Sequence, residues 1–329
     1  MDGHLRRNIL IIGAGQIGSR HLQALALLKE PCYLYLVDPN EANLLTAKQR
    51  FESVAGYERH QTSFCSSMQK LSSDKFDLAI IATTADTRAQ VIQSLLQANE
   101  VAYLILEKVL FQALDDYKLI EDLLQRYHTQ AFVNCPRRMY DFYKEVKTSI
   151  PPGTPVQMEI IGNNWGLACN GIHFIDLFSF LTGEEIFRWH NNLQKEIIKS
   201  KRSGYIEIVG NITGYSSGGN SLSLTCYKEG PPNISVRIST ERFRLTISEG
   251  LGKAYKEEIS QEWKAGEIVF NVLYQSQLTN IITEQLFETG SCELTSFSVS
   301  STLHIPFIKL VLTHYNNVSK SITDICPIT

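Results

Sequence analysis

The sequence predicts an α/β domain built on a doubly wound parallel sheet, followed by an α+β domain with a mostly antiparallel open sheet. Three observations predict this. Over roughly the first 134 residues, short apolar runs alternate with amphipathic stretches, the pattern of strands buried on both faces and the helices that cover them. Beyond Ile150-Pro151-Pro152-Gly153 the apolar residues alternate singly with polar ones, and Gly/Ser/Asn clusters such as Ser216-Ser217-Gly218-Gly219-Asn220 punctuate them as hairpin turns do. The length of 329 residues suits two domains at about 150 residues each, set here at 1–134 and 135–329.

The first strand, 8–12, runs into Gly13-Ala14-Gly15-Gln16-Ile17-Gly18, a G-x-G-x-x-G turn. A helix over 21–28 and a second strand over 33–37 follow, with Asp38 at that strand's carboxyl end, twenty residues after Gly18. This strand–turn–helix–strand spacing is that of a dinucleotide-binding Rossmann unit. Gly13 allows the tight turn, Gly15 lets the backbone approach a pyrophosphate, and Gly18 lets helix and strand pack closely. Gln16 and Ile17 open the helix, whose free N–H groups and positive dipole end face the phosphates. A carboxylate at Asp38 accepts both ribose hydroxyls and repels a 2′-phosphate, so the expected cofactor is NAD rather than NADP.

A third strand is expected over 77–81 with a helix over 86–97, a fourth over 101–106 with a helix from about 112 to 126, and a fifth over 131–133. The stretch 51–71 has room for one short strand and a helix. In the second domain, strands are expected over 155–162, 205–213, 221–227, 234–239 and 243–248. A helix over 171–181 has Asn170 as its N-cap and Gly183 just past its end. Two more helices, about 276–288 and 301–315, close the chain. No internal repeat or low-complexity segment interrupts it.

Composition narrows the function. The apolar fraction of 43% fills ordinary cores, and a net charge of −3 gives no case for nucleic acid or an acidic membrane surface. No stretch approaches the roughly 18 apolar residues of a membrane span. The apolar run at the start is short and leads into the glycine turn, so it is a strand rather than a signal peptide. The seven cysteines (Cys32, Cys65, Cys135, Cys169, Cys226, Cys292 and Cys326) include no C-x-x-C. They suggest a reducing cytoplasm and no metal site.

Two further motifs complete a resemblance. The fourth strand ends in Leu106-Glu107-Lys108-Val109-Leu110, and the first helix of the second domain carries Gly171-Ile172-His173-Phe174-Ile175-Asp176. With the Rossmann start, the whole chain resembles the glucose–fructose oxidoreductase / inositol dehydrogenase (Gfo/Idh/MocA) family. The resemblance implies that Glu107 and Lys108 stand for the family's Glu-Lys-Pro, with the lysine by the nicotinamide and the reacting hydroxyl. Gly171, His173 and Asp176 match Gly-x-His-x-x-Asp, whose histidine is an acid/base or a substrate ligand. Thr83 and Thr84 match the cofactor loop after the third strand, where relatives often carry Thr-Pro-x-x-His. Arg138 matches an arginine common just after the fifth strand. The chain departs from the family at Val109, Ala85 and Arg88, and at Cys169, where sugar dehydrogenases place an aspartate. Either Lys108 and His173 suffice, or the reaction differs, or there is none.

The residues also carry a reading of their own. Lys108 lies at the carboxyl end of a parallel strand, where such sheets bind ligands. Its other reading is a surface lysine paired with Glu107. His173 sits in a strongly apolar helix, either as a hydrogen-bonded core residue or turned to a substrate as a proton acceptor, with Asp176 one turn on to orient it. Cys169 reads as a packing residue. Trp165 and Asn170, with Asn163 and Asn164, offer the indole and amide groups that bind polyols, and Arg137 and Arg138 suit a carboxylate or phosphate.

The expected protein is an NAD-dependent oxidoreductase of a sugar or sugar-derived substrate, amino or acidic sugars included, with Lys108 and His173 giving acid–base assistance. The alternatives are a catalytically inactive dinucleotide-binding sensor and a redox-neutral lyase or hydrolase that recycles its NAD. Strand residues such as Ile206, Ile208, Leu222, Leu224, Val236 and Ile238 alternate with polar neighbours without settling which face is which, and a homodimer or homotetramer through the open face of the C-terminal sheet is expected.

Overall fold

The computed structural model describes residues 6–320 and 322–329. The apolar run at the start becomes β1 (Arg7–Ile12), and the glycine turn leads into α1 (Gln16–Leu25). There follow β2 (Cys32–Val37), α2 (Glu41–Glu52), β3 (Gln61–Cys65), β4 (Lys75–Ile81), α3 (Ala85–Ala98), β5 (Glu100–Leu106), α4 (Asp115–Arg126) and β6 (Gln130–Val133). The six strands are parallel in the order β6-β5-β4-β1-β2-β3. That is the doubly wound order, whose reversal point lies between β1 and β4. Right-handed crossovers put α1 beside α2 on one face and α3 beside α4 on the other. Buried on both sides, Ile9, Leu10, Ile11, Leu78, Ile80 and Leu104 are fully shielded from solvent. The stretch 51–71 holds β3, but single helical turns at Tyr57–Arg59 and Met68–Lys70 replace the expected helix.

The second sheet is built from β7 (Gln157–Asn163), β8 (Arg188–Lys199), β9 (Ile206–Tyr215), β10 (Ser221–Tyr227), β11 (Asn233–Ser239), β12 (Phe243–Ser248), β13 (Lys253–Glu258) and β14 (Gly266–Val269). Its order is β14-β13-β12-β11-β7-β10-β9-β8, antiparallel except for β7 with β10. Helices α5 (Asp141–Ser149) and α6 (Leu167–Thr182) accompany it. Leu224 faces α6, since a side chain at Gly171 of that helix would stand 3.5 Å from it. Leu222, Leu224, Val236 and Ile238 are therefore core residues of the helix-covered face. The alternation along these strands leaves open which face they take, and the contact with α6 decides it. The opposite face presents their polar alternates: Ser223 lies in register with Glu159 and Thr213, and Glu159 with Arg237.

The chain closes with α7 (Thr279–Thr289), β15 (Thr295–Ser296) and α8 (Phe297–Ser319). Two compact units result. The first comprises the residues up to Phe111, Asp115–Asn134 and Leu273–Ser300; the second comprises Gln112–Leu114, Cys135–Val272 and Ser301–Thr329. Residues 273–300, expected in the second domain, thus belong to the first. The physical reason is pairing: β15 adds an antiparallel strand to the free edge of β6, and α7 packs on α1.

Candidate functional site

The glycine turn is fixed by space. Gly13 takes φ +96°, and a side chain there would meet the Ala82 carbonyl at 2.9 Å, so the turn lies against the end of β4 at the reversal point. A side chain at Gly18 would fall 1.7 Å from the Gly13 carbonyl oxygen, so only glycine lets α1 follow the turn. At Gly15 nothing lies within 4 Å of that position, and the backbone stands open. No side chain caps α1 and no acid occupies its first turn, which leaves the N-terminal N–H groups and the dipole to an anion. Gln16 starts the helix with its side-chain oxygen 2.8 Å from Arg50 Nη2, and Ile17 is half-buried beside it.

Asp38 is buried at the end of β2. Its Oδ2 accepts the Ala14 N–H at 2.7 Å and its Oδ1 accepts the Asn40 N–H at 2.8 Å. The Asn43 amide also lies 3.4 Å from each oxygen, a long contact that ribose hydroxyls can displace on a carboxylate with about four acceptor sites. Thr83, just past β4, has a buried hydroxyl without a hydrogen-bond partner. Thr84 follows as the residue before α3. An open glycine backbone, an uncapped helix start, a carboxylate and an orphaned hydroxyl together fit a dinucleotide.

Glu107 is buried, not presented to solvent. Its Oε1 lies 2.9 Å from His21 Nε2 and accepts from the Asn134 amide, which also donates to Gln275 at 2.8 Å. His21 Nδ1 lies 2.8 Å from the Thr279 hydroxyl. Burial pushes the Glu107 carboxyl up, but the hydrogen bond and charge of His21, the Asn134 amide and the Lys108 charge outweigh it and hold the group below its usual range. Glu107 thus ties α1, β5 and the returning segment together. Lys108, half-buried, is the next residue.

Sequence reasoning assigned His21 no role and marked Arg88 only as a departure from the histidine of related loops. Arg88 is 1% exposed, and its guanidinium donates to the carbonyls of Thr83, Val109 and Leu110. Each had a signal: a large polar residue on an apolar helix stripe, His21 among Gly18, Leu22 and Leu25, Arg88 among Ala85, Ile92 and Leu95.

In the second unit, α6 begins one turn before the expected N-cap. Its N-cap is Gly166, not Asn170, and Glu207 of β9 caps it by accepting the Ala168 N–H at 2.9 Å. His173 therefore sits in the second turn, half-buried. The helix ends at Gly183, in the left-handed region at φ +71°. Arg138 and Asp176, each expected at substrate, take each other: Arg138 Nε donates to Asp176 Oδ2 at 3.1 Å, with Asp176 1% exposed. The Trp165 indole N–H is bound to the Thr225 carbonyl at 2.8 Å, and its ring stands edge-on to Phe174 at 5.7 Å. Asn170 donates to the Trp165 carbonyl at 2.8 Å. These groups build the turn into α6, which corrects the picture of an indole N–H offered to a polyol. Cys169 packs at 8% exposure, its Sγ 3.8 Å from the Ile206 carbonyl. The same turn borders a cleft of about 910 Å³ lined by Asn163, Asn164, Trp165, Tyr227, Asn233 and Leu251 among others.

Comparison with known proteins places this geometry. Residues 7–135 match the Gfo/Idh/MocA family, described as an oxidoreductase family with an NAD-binding Rossmann fold. No curated protein matches the chain. Among solved structures, UDP-N-acetylglucosamine 3-dehydrogenase GnnA from Acidithiobacillus ferrooxidans superposes with a TM-score of 0.70 at 13% identity, over 93% of this chain and 97% of that one. An oxidoreductase from Agrobacterium radiobacter, in complex with NAD+, L-tartaric acid and magnesium, gives 0.71 at 14% identity over 92% and 94%. The super-repressor mutant of Gal80p from Saccharomyces cerevisiae gives 0.70 at 16% identity over 97% and 100%. At such identities the likeness is one of fold, and it extends through both units.

Proposed function

We propose, for a chain whose residues 7–135 match the Gfo/Idh/MocA oxidoreductase family, that it oxidises or reduces a sugar or sugar-derived substrate with NAD. The carrying observation is the open glycine backbone at Gly15, next to an uncapped helix start and the Asp38 carboxylate. When bound, the dinucleotide supplies the hydride chemistry. Lys108 is assigned to stabilise the substrate oxygen and His173 to hold or give up its proton. Arg138 and Asp176 are assigned to fix α6 beneath His173, and Asn163 and Asn164 to contact polyol hydroxyls. The sugar class is supported by the sugar-nucleotide dehydrogenase among the structural neighbours.

Titration with NADH and NADPH tests the cofactor. NADH is expected to bind more tightly, and Asp38→Ala to cost it about 1.5–3 kcal/mol, narrowing the gap. Tighter binding of NADPH by the wild type shows that Asp38 has been misread.

A dinucleotide-dependent sensor is the second reading, favoured by the packed thiol of Cys169 where sugar dehydrogenases carry an acid. A regulator, Gal80p, shares the fold. We assign the protein to the cytoplasm, where its seven cysteines stay reduced. We also assign it a homo-oligomer through the open sheet face, on which Tyr227 and Tyr255 are each 49% exposed. Sedimentation should show a dimer or tetramer at micromolar concentration; a lone species of 37.2 kDa rejects it.

A further inference from the structure

We propose that Arg88 is a positioning residue that sets the backbone carrying Lys108. The proposal rests on the reading of Lys108 as the lysine beside the nicotinamide. Three carbonyls converge on one buried guanidinium: Thr83 from the loop after β4, and Val109 and Leu110 from the chain just beyond Lys108. The Leu110 bond is 2.9 Å. On its other side Lys108 follows Glu107, whose carboxylate is held by His21 and Asn134. Lys108 is thus clamped before and after, so its side chain projects from a backbone with little freedom of its own.

The chemistry selects arginine. A guanidinium has five N–H donors in a rigid plane and stays charged when buried, so it can span carbonyls from two loops at once. A histidine, common in the related loop, offers at most two N–H groups and cannot cross three carbonyls. A lysine carries charge without the planar fork. Because Thr83 bears the orphaned hydroxyl on the cofactor side, the same guanidinium also fixes the distance between that loop and Lys108.

The test reads Lys108 directly rather than turnover. Lys108 is acetylated with N-hydroxysuccinimidyl acetate, which forms the Nζ amide and releases N-hydroxysuccinimide, and the rate is followed by peptide mass spectrometry with and without NADH. At ten times its dissociation constant NADH leaves about one tenth of the sites free, so labelling of Lys108 in the wild type should slow about tenfold. In Arg88→Ala, NADH should still bind through the glycine turn and Asp38, but protection should fall below about twofold, because the lysine no longer holds its place. Guanidinium at about 50 mM, far below denaturing levels, should restore protection, and equal sodium chloride should not. Arg88→Lys, which keeps the charge, should behave as Arg88→Ala and serves if the smaller side chain prevents folding. Full protection in Arg88→Ala or Arg88→Lys with bound NADH overturns the proposal. If NADH binds the wild type without protecting Lys108, the reading beneath it fails and the proposal with it.

Discussion

Lys108→Met and His173→Ala are each expected to lower turnover by about 10²–10⁴-fold while leaving NADH affinity nearly unchanged. The separation follows from the site. On the proposed assignment, affinity rests with the glycine turn, the start of α1 and Asp38, while Lys108 lies at the end of a different strand and His173 on α6. Proton transfer and stabilisation of a developing alkoxide act in the transition state, so the loss should fall on kcat more than on KM. Two residues serving one proton transfer act as a unit, so the double variant should lose less than the two single losses combined. Steady-state rates on sugars, sugar acids and nucleotide sugars, with NADH fluorescence titration alongside, check this. Turnover that survives loss of both side chains means the acid–base assignment is wrong. A wild type that binds NADH and turns over none of the panel favours the sensor.

Glu249→Ala is expected to cost the second unit about 3–5 kcal/mol. Arg137 holds Glu249 through both oxygens, at 2.8–3.1 Å, and the Tyr143 hydroxyl donates to the same carboxylate at 2.5 Å. Burial works against the Arg137 guanidinium, and the Glu249 charge beside it more than compensates, so it stays firmly protonated. Burial and the same carboxylate push the Tyr143 hydroxyl up. Removing Glu249 therefore leaves a buried cation and a hydroxyl without their acceptor, though Arg137 keeps its contact over the Phe174 ring at 4.2 Å. Arg137→Met with Glu249→Leu removes both charges and should recover most of the loss, since a buried pair is dear to break and cheap to replace. Urea unfolding measures both. A single-variant cost below about 1 kcal/mol means that water screens the pair as at a surface.

Much of the fold was legible because its signals are local. The runs at Ile9–Ile12, Leu78–Ile81 and Leu104–Leu106 are apolar on both faces, and β10 and β12 alternate with period two. β8 was not legible: Arg188–Lys199 is an edge strand, mostly exposed, and its polar sequence carries no pattern. β15 is two residues long and exists only because β6 offers an edge. In the site, spacing found the glycine turn and Asp38, whose partners are near in sequence. It missed what is decided by distant partners. His21 meets Glu107 and Thr279, Arg138 meets Asp176, and Trp165 meets Thr225, and no window along the chain contains both members of any pair.

The return of residues 273–300 to the first unit sets an order of events during synthesis. The strands β1 to β6 are made well before β15 and α7, which complete their unit. At about 5–20 residues per second, the stretch between β6 and β15 delays completion by roughly 10–30 s. Through that interval β6 is a bare edge, and His21 lacks the Thr279 hydroxyl that satisfies it. A fragment ending near Asn134 would keep both defects permanently. The segment that matches a family model, residues 7–135, takes its last strand and its α1 partner helix from residues 279–296.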